Sequence, residues 1–539
     1  MPHRRSMSSV AAVSSTSTRS RREPVIDRVR RGQVKGAAIW FTGVGGCGMS
    51  ALAQMFAERG ARCAGSDRAA SSVTRELERR GITVWFDQSR GELPERCDVV
   101  VASAAIPLDH PELLAAQRRG IPMLSYAEAL GCAQAGRTAV CVAGTHGKST
   151  TTAMLATAAI EAGLDPSVIV GATCPQLGGG SRLGSETIPA GSLAGRPGVL
   201  VAEACEFNRS FHQHRPTMAL VNNVEEDHLD CYGSLEQIIE AFRGFAERLP
   251  PAAAGGRLLI AHEGAHRREI ASGLVCAVST FGWDPSADYA VSFVDDAAGA
   301  GPPHDRAVDA APDARIVRVV HQGEEVLRFA RPMPGEHNAL NAAAAGILSL
   351  WLGGERDAIE SALGRFGGLE RRSQRIGERS LPDGGRVIVY DDYGHHPTEC
   401  QVTLRAIRDL ERPSRLICVF QPHQHSRTRF LLEQFAESFS CCDLVIVPPI
   451  YFVRDSEQER TRVSAEDLVE RLRARDVHAI HLNHFDAIVE HLDVVCRDGD
   501  LLVVMGAGPV GSIAYDFLRG PDGRAADAAN ADPPTSNEP

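Results

Sequence analysis

The residues best equipped for chemistry lie between Val142 and Thr152, in the run V-A-G-T-H-G-K-S-T-T-T. A short apolar run, Thr138 to Val142, precedes them and an alanine-rich segment follows, which predicts a strand, a glycine loop and a helix start. Gly144 and Gly147 let backbone N–H groups turn toward an anion, and the helix N-terminus adds the positive end of its dipole. Lys148 is then placed to meet terminal phosphate charge, and the Ser149 hydroxyl to take a position on Mg²⁺. Thr145, His146 and Thr150 complete this candidate ATP-binding loop. Val142 stands where the common phosphate loop has its first glycine, so the spacing is a variant. The competing reading is a glycine turn with a solvated lysine; the K-S-T-T-T continuation favours ATP.

Acidic and imidazole groups follow at strand ends. The apolar run G-V-L-V-A, residues 198 to 202, leads into Glu203-Ala204-Cys205-Glu206. The run M-A-L-V, 218 to 221, delivers Asn223, Glu226, Asp227, His228 and Asp230. In a parallel sheet both sets reach the edge that carries the phosphate loop. Glu203 and a neutral His228 are candidate Mg²⁺ ligands beside Ser149. The alternative is a helix cap by Asp227 and a surface histidine. In His337-Asn338-Ala339-Leu340-Asn341, two asparagines three apart share a helix face and suit a purine edge, or simply cap a core helix. Arg371-Arg372, the stretch Asp391 to Pro397 and the stretch Gln421 to Arg429 concentrate His and Arg at domain edges, which suggests anion handling.

A second glycine loop, Gly43-Val44-Gly45-Gly46-Cys47-Gly48, follows the strand-like A-I-W-F and has Asp67 about twenty residues on. That is a dinucleotide fingerprint, with Asp67 available to a ribose hydroxyl, yet any nucleotide diphosphate suits the same loop. A third, G-A-G-P-V-G at 506 to 511, is either a further nucleotide loop or a tight strand–helix turn.

These loops need scaffolds. At 539 residues about three domains are expected. Strands alternating with helices from Ala37 onward imply α/β units with mainly parallel sheets covered on both faces. The net charge of -11 argues against a general nucleic-acid binder. No apolar run approaches the roughly 18 to 20 residues needed to span a bilayer. Fourteen cysteines without a C-x-x-C spacing fit reduced thiols of a cytoplasmic enzyme. The Ser/Arg-rich residues 1–35 predict a disordered extension, 520–539 a disordered tail, and 295–315 a surface loop.

Taken in order, G-V-G-G-C-G-M-S-A-L-A, G-T-H-G-K-S-T-T-T, E-E-D-H-L-D-C-Y-G, P-G-E-H-N-A-L-N, D-D-Y-G-H-H-P-T-E and M-G-A-G-P-V-G resemble the motifs of the Mur ligase family. The resemblance covers roughly residues 37 to 518. It implies an N-terminal Rossmann-like domain for a UDP sugar (36–133), a central P-loop ATPase domain (134–369) and a C-terminal Rossmann-like ligase domain (370–519). It also implies roles: Lys148 on the γ-phosphate, Ser149, Glu203 and His228 on Mg²⁺, Asn338 and Asn341 on adenine, and Arg372 and Asp392 reaching phosphates and ribose on domain closure. The UDP sugar falls to Gly43 through Ser50, including Met49, with Asp67 and Ser103. The amino acid falls to Tyr393, His395, His396 and one of Arg427 or Arg429, which lie on different helix faces.

The implied reaction joins L-alanine to the lactyl carboxylate of UDP-N-acetylmuramate, through an acyl phosphate made from ATP, in peptidoglycan synthesis. The sequence leaves the oligomeric state open between monomer and homodimer. Four stretches depart from the family pattern. Residues 203–211 read E-A-C-E-F-N-R-S-F instead of E-A-D-E-S-D-x-S-F, and Ser373 replaces a Phe after Arg372. Phe86-Asp87-Gln88-Ser89 lacks a Gly-His pair, and Gln424-His425 stand where Arg-Tyr is usual. Rival readings are the sister ligase that recycles murein tripeptides, an NAD-dependent dehydrogenase and a non-enzymatic nucleotide-binding regulator. The dehydrogenase leaves Lys148, Glu203 and His228 without a task.

Overall fold

The structure is a computed structural model that describes residues 23–294, 315–453 and 455–530. Three sheets organise it. The first is a five-stranded parallel sheet in the order Thr83–Trp85, Arg62–Ser66, Ala38–Thr42, Val99–Ala102, Met123–Ser125. Its central strand is buried at every residue, because helices cover both faces of a parallel sheet. Phe41 packs with Leu52 and Phe56, while Trp40 faces the other way onto Leu113 and Ile121.

The middle sheet has ten strands, with Thr138–Ala143 between Met218–Val221 and Val199–Glu203, all parallel. All three therefore deliver their following residues to one edge, where the phosphate loop sits. Antiparallel strands extend the sheet at both ends, Tyr289–Val294 with Ile316–His321 and Glu324–Ala330, and Ser167–Cys174 with Gly179–Arg182. Behind the loop, helix Lys148–Glu161 packs on the alanine-rich helix Glu336–Trp351. Alanines at 153, 156, 339, 342 and 343 are fully buried, so the two backbones approach closely.

The third sheet has six strands in the order Gln374–Ser380, Arg386–Asp392, Asp500–Met505, Arg415–Phe420, Leu444–Val447, Ala479–His481. Only the first pairing is antiparallel.

Two expectations about the ends are corrected. The predicted extension 1–35 is ordered from residue 23: helix Val25–Arg30 and Val34 dock on the first domain, with Val29 and Val34 buried in its core. Val25 and Ile26 pack against the same core, so this short apolar run anchors a segment that is otherwise largely polar. The predicted tail 520–539 is helical as far as Asn530, beyond a break at Gly520, and Arg524 pairs with Asp493. Residues 1–22 and 531–539 lie outside the described residues, as does all but Arg315 of the predicted surface loop 295–315.

Candidate active site

A cleft of about 1490 Å³ opens where the three domains meet. The phosphate loop forms its floor. Gly147 is left-handed (φ 78°) and caps helix Lys148–Glu161; a Cβ there would stand 2.7 Å from Asn341 Oδ1, so only glycine fits. Asn223 braces the loop from the neighbouring strand: its Oδ1 accepts the His146 N–H at 2.7 Å and its Nδ2 donates to the His146 carbonyl at 3.3 Å.

Lys148 is already occupied. Its Nζ donates to the carbonyls of Gly144 (2.6 Å) and Thr145 (2.9 Å) and lies 3.0 Å from the Glu206 carboxylate. Burial disfavours the ammonium, but Glu206 outweighs this and raises the lysine pKa above its usual value. His228, left-handed at φ 53°, sits 3.8 Å from Glu206 and 3.6 Å from Asp227. Ligand atoms of Glu206, Asp227 and His228 lie within 4.8 Å of one another, and one Glu206 oxygen is buried without a hydrogen bond. Hard carboxylate oxygens beside an imidazole suit Mg²⁺, so these residues fit the ion the family implies.

Glu203, expected on Mg²⁺ together with His228, stands beside this trio. Glu203 does end its strand in the cleft, but its carboxylate accepts the Gly171 N–H at 2.6 Å and is no member of that trio. One turn of chain further on, Glu206 is the acid brought to both Lys148 and His228. Ser149 and Thr150 line the cleft floor. Asn338 and Asn341 are also at the cleft, but they are joined to each other at 3.3 Å, to Asn222 and to the Pro334 carbonyl. They present a closed amide chain at the cleft.

The C-terminal domain closes the other wall. Arg371 and Arg372 both stack against the Tyr393 ring, at 5.2 and 4.9 Å. Asp392, expected on a ribose, spends both oxygens on the N–H groups of Ser373 and Gly394. Burial pushes its pKa up to about 6. Glu399 accepts from His146 at 3.1 Å, across 253 residues of sequence, and from the His395 N–H. Glu225 flanks the same imidazole at 3.5 Å and accepts the Thr398 hydroxyl. Burial works against the charged His146, but these two carboxylates prevail and raise its pKa to about 9. Burial would raise the Glu225 pKa, but His146 and Thr398 outweigh it and lower it to about 2. His395 is held neutral, its pKa lowered to about 3 by burial.

The amino-acid candidates divide. Tyr393 and His395 line the cleft. His396 does not: one ring nitrogen accepts the Thr398 N–H at its helix start and the other meets the Glu226 carbonyl, so it joins the domains. Arg427 is buried against Asp227 at 2.9 Å, with His423 and His228 beside it. Arg429 turns away to Glu459.

In the first domain the glycine loop is less exposed than its motif suggests. Val44 and Met49 are core side chains. Gly45 donates its N–H to Asp67 at 2.7 Å, and any Cβ there would strike that carboxylate. Asp67 therefore ties the loop closed with the oxygen expected to meet a ribose. Ser103 stands 3.1 Å from the Cβ position of Gly43, at the neighbouring strand end. Cys47 and Ser50 face the cleft, with Gln54 and Glu58 farther along the same helix face.

Among residues that sequence reasoning missed, Glu206 was visible only as the second acid of E-A-C-E, and Glu399 as the last letter of H-H-P-T-E. Neither carried a signal of its partner.

Three α/β domains around a phosphate loop define a class, and the chain belongs to the Mur ligase family. Residues 38–138 match the Mur ligase catalytic domain, 142–349 the middle domain and 371–508 the glutamate ligase domain. The UDP-N-acetylmuramate–L-alanine ligase of Agathobacter rectalis is 35% identical over 484 residues, 89% of this chain and 97% of the relative. The ligase of that name from Paenarthrobacter aurescens is 38% identical over 490 residues, 89% and 97%. Among solved structures, the UDP-N-acetylmuramate–alanine ligase of Thermotoga maritima aligns with a TM-score of 0.67 at 22% identity, covering 91% of this chain and 99% of that one. A murein peptide ligase from Psychrobacter arcticus aligns with 0.62 at 23% identity, covering 90% and 98%. Both share the fold.

Proposed function

We propose that this chain is an ATP-dependent ligase that joins L-alanine to the lactyl carboxylate of UDP-N-acetylmuramate, in the cytoplasm, as a step of peptidoglycan precursor synthesis. The observation that carries the reading is Lys148, set in a glycine loop at the floor of a cleft that all three domains line. The relatives matched at 33 to 38% identity bear this ligase's name, which favours it over tripeptide recycling.

In this reading Lys148 and the loop N–H groups hold the terminal phosphates while the substrate carboxylate attacks the γ-phosphorus and ADP leaves. Glu206, Asp227 and His228, with Glu203 and Ser149 at the same edge, would hold Mg²⁺. When bound, that ion supplies charge neutralisation on the transferring group. The acyl phosphate then meets the neutral amine of L-alanine, giving an amide and inorganic phosphate. Neutral His395 can accept a hydrogen bond from that amine, and Arg427, paired with Asp227, stands beside His228 at the metal-ligand trio. An acyl phosphate hydrolyses in water, so closure of the third domain through His146, Glu225 and Glu399 protects it.

Incubation with ATP, Mg²⁺, UDP-N-acetylmuramate and single amino acids tests this. Release of phosphate with formation of the UDP-N-acetylmuramoyl-alanine mass is expected. Phosphate release only with a preformed tripeptide would transfer the chain to the recycling ligases, and NAD-dependent turnover would overturn the class.

A further inference from the structure

We propose that Glu206 is a counter-ion latch for Lys148, which makes nucleotide binding depend on a divalent cation. This rests on the reading that the loop from Gly144 to Ser149 binds a nucleoside triphosphate. An ammonium has three protons, and here Gly144, Thr145 and Glu206 take all three. A phosphate can reach Lys148 only by displacing at least one of them. The carbonyls belong to the loop itself; Glu206 is the acceptor that carries charge.

Glu206 has nowhere else to go. Its residue is 2% exposed, and its backbone carbonyl is pinned by the Tyr232 hydroxyl and the Arg209 N–H. The turn that follows is fixed in two successive left-handed residues, Asn208 and Arg209. Once Lys148 turns to a triphosphate, the carboxylate is left buried, without a cation, and facing further negative charge. A buried ion pair that loses one partner is strongly destabilised. A cation among Glu206, Asp227 and His228 replaces the lost partner and removes the repulsion. Metal and nucleotide therefore favour each other's binding, and Glu206 carries that coupling.

The test reads ATP binding by calorimetry, without sugar or amino acid so that no turnover occurs. Wild type is expected to bind ATP weakly in chelator and much more tightly with Mg²⁺. In Glu206→Gln, metal-free ATP should bind at least about tenfold tighter than in wild type, and the gain from Mg²⁺ should shrink by the same factor. Glu206→Asp, which keeps the charge, should retain the metal dependence. A second variant works from the other partner: Lys148→Met strips Glu206 of its cation in the empty protein, so Mn²⁺ alone should bind more tightly than to wild type. The latch is overturned if Glu206→Gln binds metal-free ATP no better than wild type, or if Lys148→Met gains no Mn²⁺ affinity. Failure of wild type to bind ATP even with Mg²⁺ would instead remove the nucleotide reading itself.

Discussion

Replacing Arg427 by alanine removes the guanidinium that pairs with Asp227. Both Nε and Nη2 lie 2.9 Å from one Asp227 oxygen, and the two side chains are only 6% and 8% exposed. Burial alone would push the Asp227 pKa up, but Arg427 holds it far below the carboxylate range. The variant leaves this charge buried without its guanidinium partner, which costs about 3–5 kcal/mol in comparable sites. Arg429 is the internal control. Its pair with Glu459 is more exposed, at 32% and 16%, and Arg429→Ala should cost about 0–1 kcal/mol. Because Asp227 and Arg427 belong to different domains, the loss should appear as undocking of the third domain before global unfolding. Urea titration followed by protease sensitivity near residue 370 reads both events. Adding Asp227→Asn to Arg427→Ala should recover part of the loss, with a coupling of at least about 1 kcal/mol. In kinetics, Arg427→Ala should raise the KM for L-alanine more than that for ATP. Equal stability of the two arginine variants would refute the reasoning, since it would mean the buried pair is not made in solution.

Lys148→Ala should lower turnover on the order of a thousandfold while leaving UDP-sugar affinity nearly unchanged; turnover within about tenfold of wild type would exclude the loop from phosphoryl transfer. The clasp around His146 gives a pH signature. With its pKa raised to about 9, the imidazolium stabilises the docked domains fully below about pH 6.5 and loses that effect as pH rises through 9. Glu225, lowered to about 2, contributes above about pH 4.5 and fails as pH falls toward 2. Melting curves should therefore separate wild type from His146→Gln near about pH 6 and converge near about pH 10; a gap that stays constant would show that the imidazole acts without its charge. Deleting residues 1–35 removes the buried Val29 and Val34 and should cost about 3 kcal/mol or more, measured by denaturant unfolding. An unchanged midpoint would mean the first helix does not dock.

Local chemistry was legible along the chain. The phosphate loop, the strand ends carrying Glu203 and His228, and the strands around Leu416, Leu444 and Leu501 follow from glycine placement and apolar runs, which depend on neighbours in sequence. The three-domain α/β organisation follows from the same alternation. What only the tertiary structure decided is which acid serves which base. Glu203 and Glu206 are both acids leaving one strand, and only the turn through Asn208 and Arg209 brings the second to Lys148 and His228. Arg427 and Arg429 differ by two positions; the packing of their short helix against the middle domain turns one onto Asp227 and the other to Glu459. His146 meets Glu399 across 253 residues, a contact that no local pattern encodes. The physical reason is common to all three. Sequence periodicity sets which way a side chain leaves its own element, whereas its partner is set by how separate elements pack, and burial then fixes the charge each group carries.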